Sequence, residues 1–195
     1  MNKEQFLQRF HHARQVQGEP DYPLRKPGKP AAVLMPILER DTQLSMLFTV
    51  RARHLKHHGG QISFPGGKLE ASDNSLLDAA LREAHEEIGL PLSQVQIVGT
   101  LPRYRTISGF EVLPFIGFVR GDVDFRLDDN EVDAIFDVPL DFLLNPANHL
   151  IHEVNRKGHR HPIYFIPWQD KHIWGATASF VRTLSHHVQP DCLSA

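Results

Sequence analysis

The order of strand-like and helical segments in this 195-residue chain predicts an α+β or layered α/β/α domain. Three observations carry that expectation. Apolar runs of strand length recur along most of the chain, and three segments show helical spacing. The two kinds do not alternate as a regular series of parallel-strand crossovers would.

Within residues 3–14, Phe6, Leu7 and Phe10 fall at helical spacing, so a short amphipathic helix is expected. Gly18 to Pro30 holds four prolines and several charges and reads as an extended connector. Strands are expected at Ala31–Leu38 and Leu44–Val50. The polar, glycine-bearing stretch Arg51–Gln61 then leads through Ile62, Ser63 and Phe64 into a tight turn at Pro65, Gly66 and Gly67. Beyond a helix at about 75–88, strand runs return at Val95–Leu101, Val112–Val119, Leu150–Val154 and Ile163–Pro167. Leu140–Leu144 suggests one helical turn. Ala176–Val188, just after Trp174 and Gly175, suggests a closing helix. The implied organisation is a helix and connector over residues 1–30, packed on a domain at 31–188, with a tail at 189–195.

Composition narrows the function. With 41% hydrophobic and 23% charged residues the chain can bury a core and is not expected to be disordered. A formal net charge of -2 argues against a general nucleic-acid binder. Apolar runs stay far short of the ~18 residues a membrane-spanning helix needs. Cys192 is the single cysteine, so no intrachain disulfide can form, and Met1 to Gln5 lack the apolar core of a secretion signal. A cytoplasmic protein is expected. The 13 histidines, including the adjacent pairs His57–His58 and His186–His187, show no metal-finger spacing, and most are expected at the surface.

The helix at 75–88 carries the chemistry. Leu77, Ala80, Leu81, Ala84 and Ile88 form one apolar stripe at 3.6 residues per turn. Ser75 with Asp78 resembles a capping box, and Gly89 can end the helix in a left-handed conformation. Glu83, Glu86 and Glu87 share another face. Their mutual repulsion is relieved by a hard cation such as Mg2+ or Mn2+, which prefers carboxylate oxygens. Arg82 can reach Glu86 one turn on. The bland reading is a solvated acidic face, which a glutamate triplet alone would favour. The glycine turn before the helix, with Glu70 and Asp73 beyond it, shifts the balance toward a site.

These residues carry a family resemblance. Gly67, Glu70 and Asp73, followed by Arg82, Glu83, Glu86, Glu87, Gly89 and Leu90, resemble the signature box of the Nudix hydrolases. The second half matches that pattern at every specified position. In the first half Asp73 stands where the pattern has Glu, and eight residues, Asn74 to Leu81, fill a seven-residue gap. The loop before the helix can absorb the extra residue. Upstream, Leu47 to Arg51, Leu55, His58, Gly60, Gln61 and Phe64 to Gly67 resemble the extra motif of the coenzyme A pyrophosphatase branch. Trp174 to Ala178 resemble the start of that branch's C-terminal helix.

The resemblance implies the Nudix α/β/α sandwich and nucleophilic substitution at phosphorus assisted by Mg2+ or Mn2+. Glu83 and Glu87 are expected as principal metal ligands, Glu86 as completing the site, and Glu70 as a further ligand or orienting group. Arg82 is counted with these carboxylates in the catalytic set. Glu131, in the acidic loop that begins at Asp128, is a candidate to accept the proton from water and equally readable as a surface acid. Arg51, Arg53, Lys56, His58 and Arg105, with Gly66 and Gly67, are expected to meet substrate, because arginine suits phosphate through its multi-donor fork. The expected partner is a nucleotide-like diphosphate, coenzyme A first, cleaved to 4'-phosphopantetheine and adenosine 3',5'-bisphosphate. Other diphosphates such as ADP-ribose are the close alternative, and a homodimer is a possible assembly. Isopentenyl diphosphate isomerisation would need a core cysteine, and a non-catalytic binding module commonly loses the box carboxylates that this chain keeps.

Overall fold

The structure, a computed structural model, describes residues 1–13, 16–23, 26–40, 43–56, 58–156 and 159–189. Its centre is β1 (Lys29–Arg40), which runs parallel to β7 (Phe110–Val119) from Lys29↔Phe110 to Leu38↔Val119. Around that pair, β2 (Gln43–Arg51) and β4 (Gly66–Lys68) run antiparallel to β1, and β5 (Val95–Thr100) and β6 (Tyr104–Arg105) run antiparallel to β7. β3 (Ile62–Ser63) and β8 (Val132–Pro139) complete the eight-stranded mixed sheet by pairing with β2. A separate antiparallel sheet is formed by β9 (Leu150–Arg156), β10 (His159–Trp168) and β11 (Lys171–Trp174).

The period-2 alternation of a strand explains the layering. On β1, Ala32, Leu34 and Leu38 pack with Ala80, Ala84 and Ile88 of α2 (Leu76–Ile88). Met35 and Ile37 point the other way, into a core shared with α1 (Lys3–His12) and α4 (Ala176–Val188). Both faces of β1 are therefore buried, which is why it reads as a nearly continuous apolar run. The result is the expected α/β/α sandwich. Phe6 of α1 meets the Phe118 ring edge-on at 5.6 Å, holding the N-terminal helix on the sheet. Among the described residues, no helix is long and apolar enough to cross a membrane.

Several details differ from expectation. The helical turn α3 (Leu140–Leu144) forms, preceded by a strand that was not expected, β8, whose apolar run is broken up by Asp133 and Asp137. The reciprocal capping box lies not at Ser75 but at α1, where Asn2 and Gln5 cap each other's backbone N–H. At α2 the Ser75 hydroxyl accepts from Asp78 N–H. Two of the described histidines, His149 and His187, are buried and satisfy backbone carbonyls of Leu143 and Phe10. His57 and residues 190–195, Cys192 among them, lie outside the described residues.

Candidate active site

Two glycines make room for the site. Gly66 has φ +154°, and a Cβ there would overlap the Ala32 carbonyl, because β4 lies directly against β1 at Val33↔Gly66. A Cβ on Gly67 would instead occupy the space of the Glu83 carboxylate. Only a side chain of hydrogen lets strand and helix approach this closely.

The loop between β4 and α2 delivers Asp73 to Arg82. The two form a bidentate pair, Arg82 Nε donating to Asp73 Oδ1 at 2.9 Å and Nη2 to Oδ2 at 3.0 Å. Asp73 also accepts from Glu70 N–H at 2.8 Å. Arg82 Nη1 then donates to Glu83 Oε1 at 3.1 Å and Glu86 Oε2 at 2.8 Å. Hydrogen bonds from Arg82 hold Asp73 below the usual carboxylate range, and the same contacts raise Arg82. The residue that departs from the family pattern thus orients the arginine that orients two glutamates.

Carboxylate oxygens of Glu83, Glu87 and Glu131 all lie within 4.8 Å of one another. Glu83 and Glu87 are one helical turn apart on α2, whereas Glu131 comes from the loop before β8. Backbone hydrogen bonds place that loop. Arg126 and Asp128 N–H donate to the carbonyls of Ile88 and Glu87 at 3.1 and 3.0 Å, and Ala52 N–H donates to Glu131 O at 2.8 Å. Gly89, with φ +69°, turns the chain away at the end of α2.

Electrostatics sets this trio apart from a solvated acidic face. The Glu87 side chain is 3% exposed, and its Oε2 is buried without a hydrogen-bond partner. Its Oε1 lies 3.5 Å from Arg51 Nη1. Burial pushes Glu87 up to about 8; the Glu83 and Glu131 charges push the same way, opposed by Arg51 and the Gly66 N–H. Burial also raises Glu83, against the pull of Arg82. A buried, orphaned carboxylate oxygen among like charges is stabilised by a cation, and an all-oxygen donor set fits a hard divalent ion.

The other expected residues are placed differently. Glu86 is 55% exposed and faces Arg82, and Glu70 is exposed; neither belongs to the close trio. Arg51 and Gly66 line a cleft of about 580 Å³ whose walls draw on both sheets, and Arg51, 3.5 Å from Glu87, connects it to the carboxylates. His58, in a left-handed conformation, bonds Gln61 at 2.8 Å and lines the same cleft. Arg53 is almost fully exposed beside Asp133, and Lys56 is exposed. Arg105 is shared between Asp21 and Glu111, and Arg103 also pairs with Glu111. Nothing in local sequence signals the Asp73–Arg82 fork or the cleft wall supplied by Pro20, Asp21 and Tyr22, since each depends on chain segments meeting in space.

Comparison with known proteins shows the family. Residues 28–160 match the family described as the NUDIX domain. A protein called "Uncharacterized Nudix hydrolase NudL" from Enterobacter sp. (strain 638) is 39% identical over 155 residues, 80% of each chain. Its namesake from Yersinia pestis (strain Pestoides F) is 39% identical over 158 residues, 81% of this chain and 79% of that protein. A MutT/nudix family protein from Enterococcus faecalis shares the fold with TM-score 0.51 at 15% identity, covering 98% of this chain and 75% of that one. A C. elegans Ap4A hydrolase complex has TM-score 0.50 at 18% identity, covering 57% and 80%. A box helix with its carboxylates gathered, a domain match over most of the chain and relatives at this identity lead to one conclusion: the chain belongs to the Nudix hydrolase family.

Proposed function

We propose that this protein is a divalent-metal-dependent diphosphatase that hydrolyses the diphosphate linkage of a nucleoside diphosphate derivative, with coenzyme A the leading substrate. The observation that carries the reading is the Glu83, Glu87 and Glu131 trio around the buried, unpartnered Oε2 of Glu87. Glu83 and Glu87 hold the ion, with Glu131 facing them from the opposite loop. Bound Mg2+ or Mn2+ supplies charge neutralisation for the diphosphate and acidifies water near it.

The chain's own residues do the positioning. Arg82, clamped by Asp73, fixes the Glu83 carboxylate and keeps Glu86 beside the site as further negative charge. Arg51 stands where the carboxylates meet the cleft, so its guanidinium can leave Glu87 for an incoming phosphate. Glu131, the carboxylate of the trio not carried by α2, takes the proton from the attacking water.

The test is product release from coenzyme A and ADP-ribose, followed by mass spectrometry with and without Mg2+ or Mn2+. The 4'-phosphopantetheine and adenosine 3',5'-bisphosphate pair is expected from coenzyme A. Glu83→Gln should lower turnover at least ~100-fold, as loss of a metal-holding carboxylate does. Wild-type turnover in that variant would overturn the metal role.

A further inference from the structure

β8 does not keep the even alternation of a strand. Phe136 and Val138 pack into the core shared with α1 and α4, and Ile135 packs toward α2, as period-2 spacing requires. Val132 is also buried on the α2 side, three residues before Ile135, where an unbroken strand would turn it to the opposite face. Pairing with β2 shows where the step occurs. Val50 stands opposite Ala134, but Arg51 stands opposite Val132, so Asp133 is an extra residue without a partner across the ladder. This is a β-bulge, a device that re-aims the side chains beside it.

The bulge has two consequences for the carboxylates. In an unbroken ladder Arg51 would face the acid Asp133. With Val132 there instead, the Arg51 guanidinium lies 3.5 Å from Glu87. The step also sets the backbone just before β8. Ala52 N–H donates to Glu131 O at 2.8 Å, although the register of Phe48 to Val50 would carry Ala52 to Val132. From the other side Asp128 ties this segment to α2. Its N–H donates to Glu87 O at 3.0 Å, and its carbonyl accepts from Glu131 and Val132 N–H, each at 2.9 Å. Glu131 is thus held between α2 and β2.

Asp133 closes the bulge. Its Oδ2 accepts from Arg53 N–H at 3.1 Å, one residue beyond the Ala52 bond. The Arg53 side chain is 4.0 Å from the same oxygen and 90% exposed, an ion pair that contributes little. The acceptor atom matters here, not the charge. Asp133 itself belongs neither to the carboxylate trio nor to the lining of the cleft.

We propose that Asp133 is a positioning residue of the metal site: by accepting the Arg53 N–H it holds the bulge that aims Glu131 at Glu83 and Glu87 and leaves Arg51 to Glu87. The assignment rests on the metal-binding part of the diphosphatase reading.

The experiment reads Mn2+ binding to the substrate-free protein by isothermal titration calorimetry, beside steady-state kinetics with coenzyme A and Mn2+. Asp133→Ala removes the acceptor at a side chain 36% exposed, a change with little burden on folding. It should weaken Mn2+ binding about three- to ten-fold and lower kcat about five- to thirty-fold, with KM within about two-fold of wild type. Asp133→Asn keeps an oxygen for the Arg53 N–H and should recover most of both losses. In a Glu131→Gln background, Asp133→Ala should change Mn2+ affinity by less than about two-fold, because the carboxylate it positions is gone. Wild-type Mn2+ affinity and kcat in Asp133→Ala would overturn the proposal. So would an Asp133→Asn variant as impaired as Asp133→Ala, or an undiminished loss in the Glu131→Gln background. A wild-type protein that binds Mn2+ but cleaves no diphosphate defeats the diphosphatase reading, and calorimetry alone then decides the role of Asp133.

Discussion

At the residue scale, Glu87 concentrates the energetic conflict of the site. Its pKa is raised to about 8 by burial, with neighbouring carboxylates adding to the shift. A carboxyl group whose folded pKa lies above its unfolded value favours the fold while protonated and loses that contribution as pH rises through the folded pKa. Metal-free protein should therefore lose stability between about pH 5 and 8, and added Mg2+ or Mn2+ should restore it. Glu87→Gln should flatten that pH dependence and stabilise the metal-free protein at pH 8 by about 1–3 kcal/mol, while abolishing metal-dependent turnover. Thermal melts with chelator across pH read the outcome; an unchanged slope in the variant would show that another group carries the effect. Asp73 makes a complementary point. As a residue it is a departure from the box, but its two hydrogen bonds with Arg82 give the shorter carboxylate a definite place. Its role could not be assigned from spacing because the loop path decides where its carboxylate arrives.

At the element scale, α2 was legible almost in full. The apolar stripe, the Ser75 cap and the Gly89 stop lie within one local segment, and local rules apply to it directly. The helix also organises a segment far away in sequence. Gly89 adopts φ +69°, and a Cβ there would press on Arg126 backbone atoms at 3.0 to 3.1 Å. Gly89→Ala should thus cost about 1–2 kcal/mol of stability and shift the loop bearing Glu131. The check is paired: chemical denaturation for stability, and metal titration for affinity. Weakened metal binding is expected along with the lost stability, whereas unchanged affinity would mean that the loop is held by its other bonds. By contrast β8 was not legible, since its acids face outward while its register is set by β2.

At the scale of the whole molecule, the connector joins the two ends of the chain. Burial alone would push Glu19 up, but hydrogen bonds with His186 and Tyr164 and the Arg182 charge outweigh it and hold it low. A lowered carboxylate contributes stability above its unfolded pKa and loses it as pH falls through the folded one. Glu19→Gln should accordingly destabilise the protein by about 1–3 kcal/mol at neutral pH and by less near pH 3, leaving Arg182 without its carboxylate. Denaturation midpoints at the two pH values test this. Equal losses at both would exclude the ionised pair as the cause.

The sequence by itself determined most of the strands and helices, the acidic face of α2 and the glycines beside it, because these depend on periodicity and backbone freedom within a short segment. Only the tertiary structure decided that Glu131 joins Glu83 and Glu87 while Glu86 stays outside that trio, and that Arg105 is taken up by acids. Those outcomes arise from loop closure and from burial, which bring distant groups together and change their ionisation. No spacing along the chain encodes either effect.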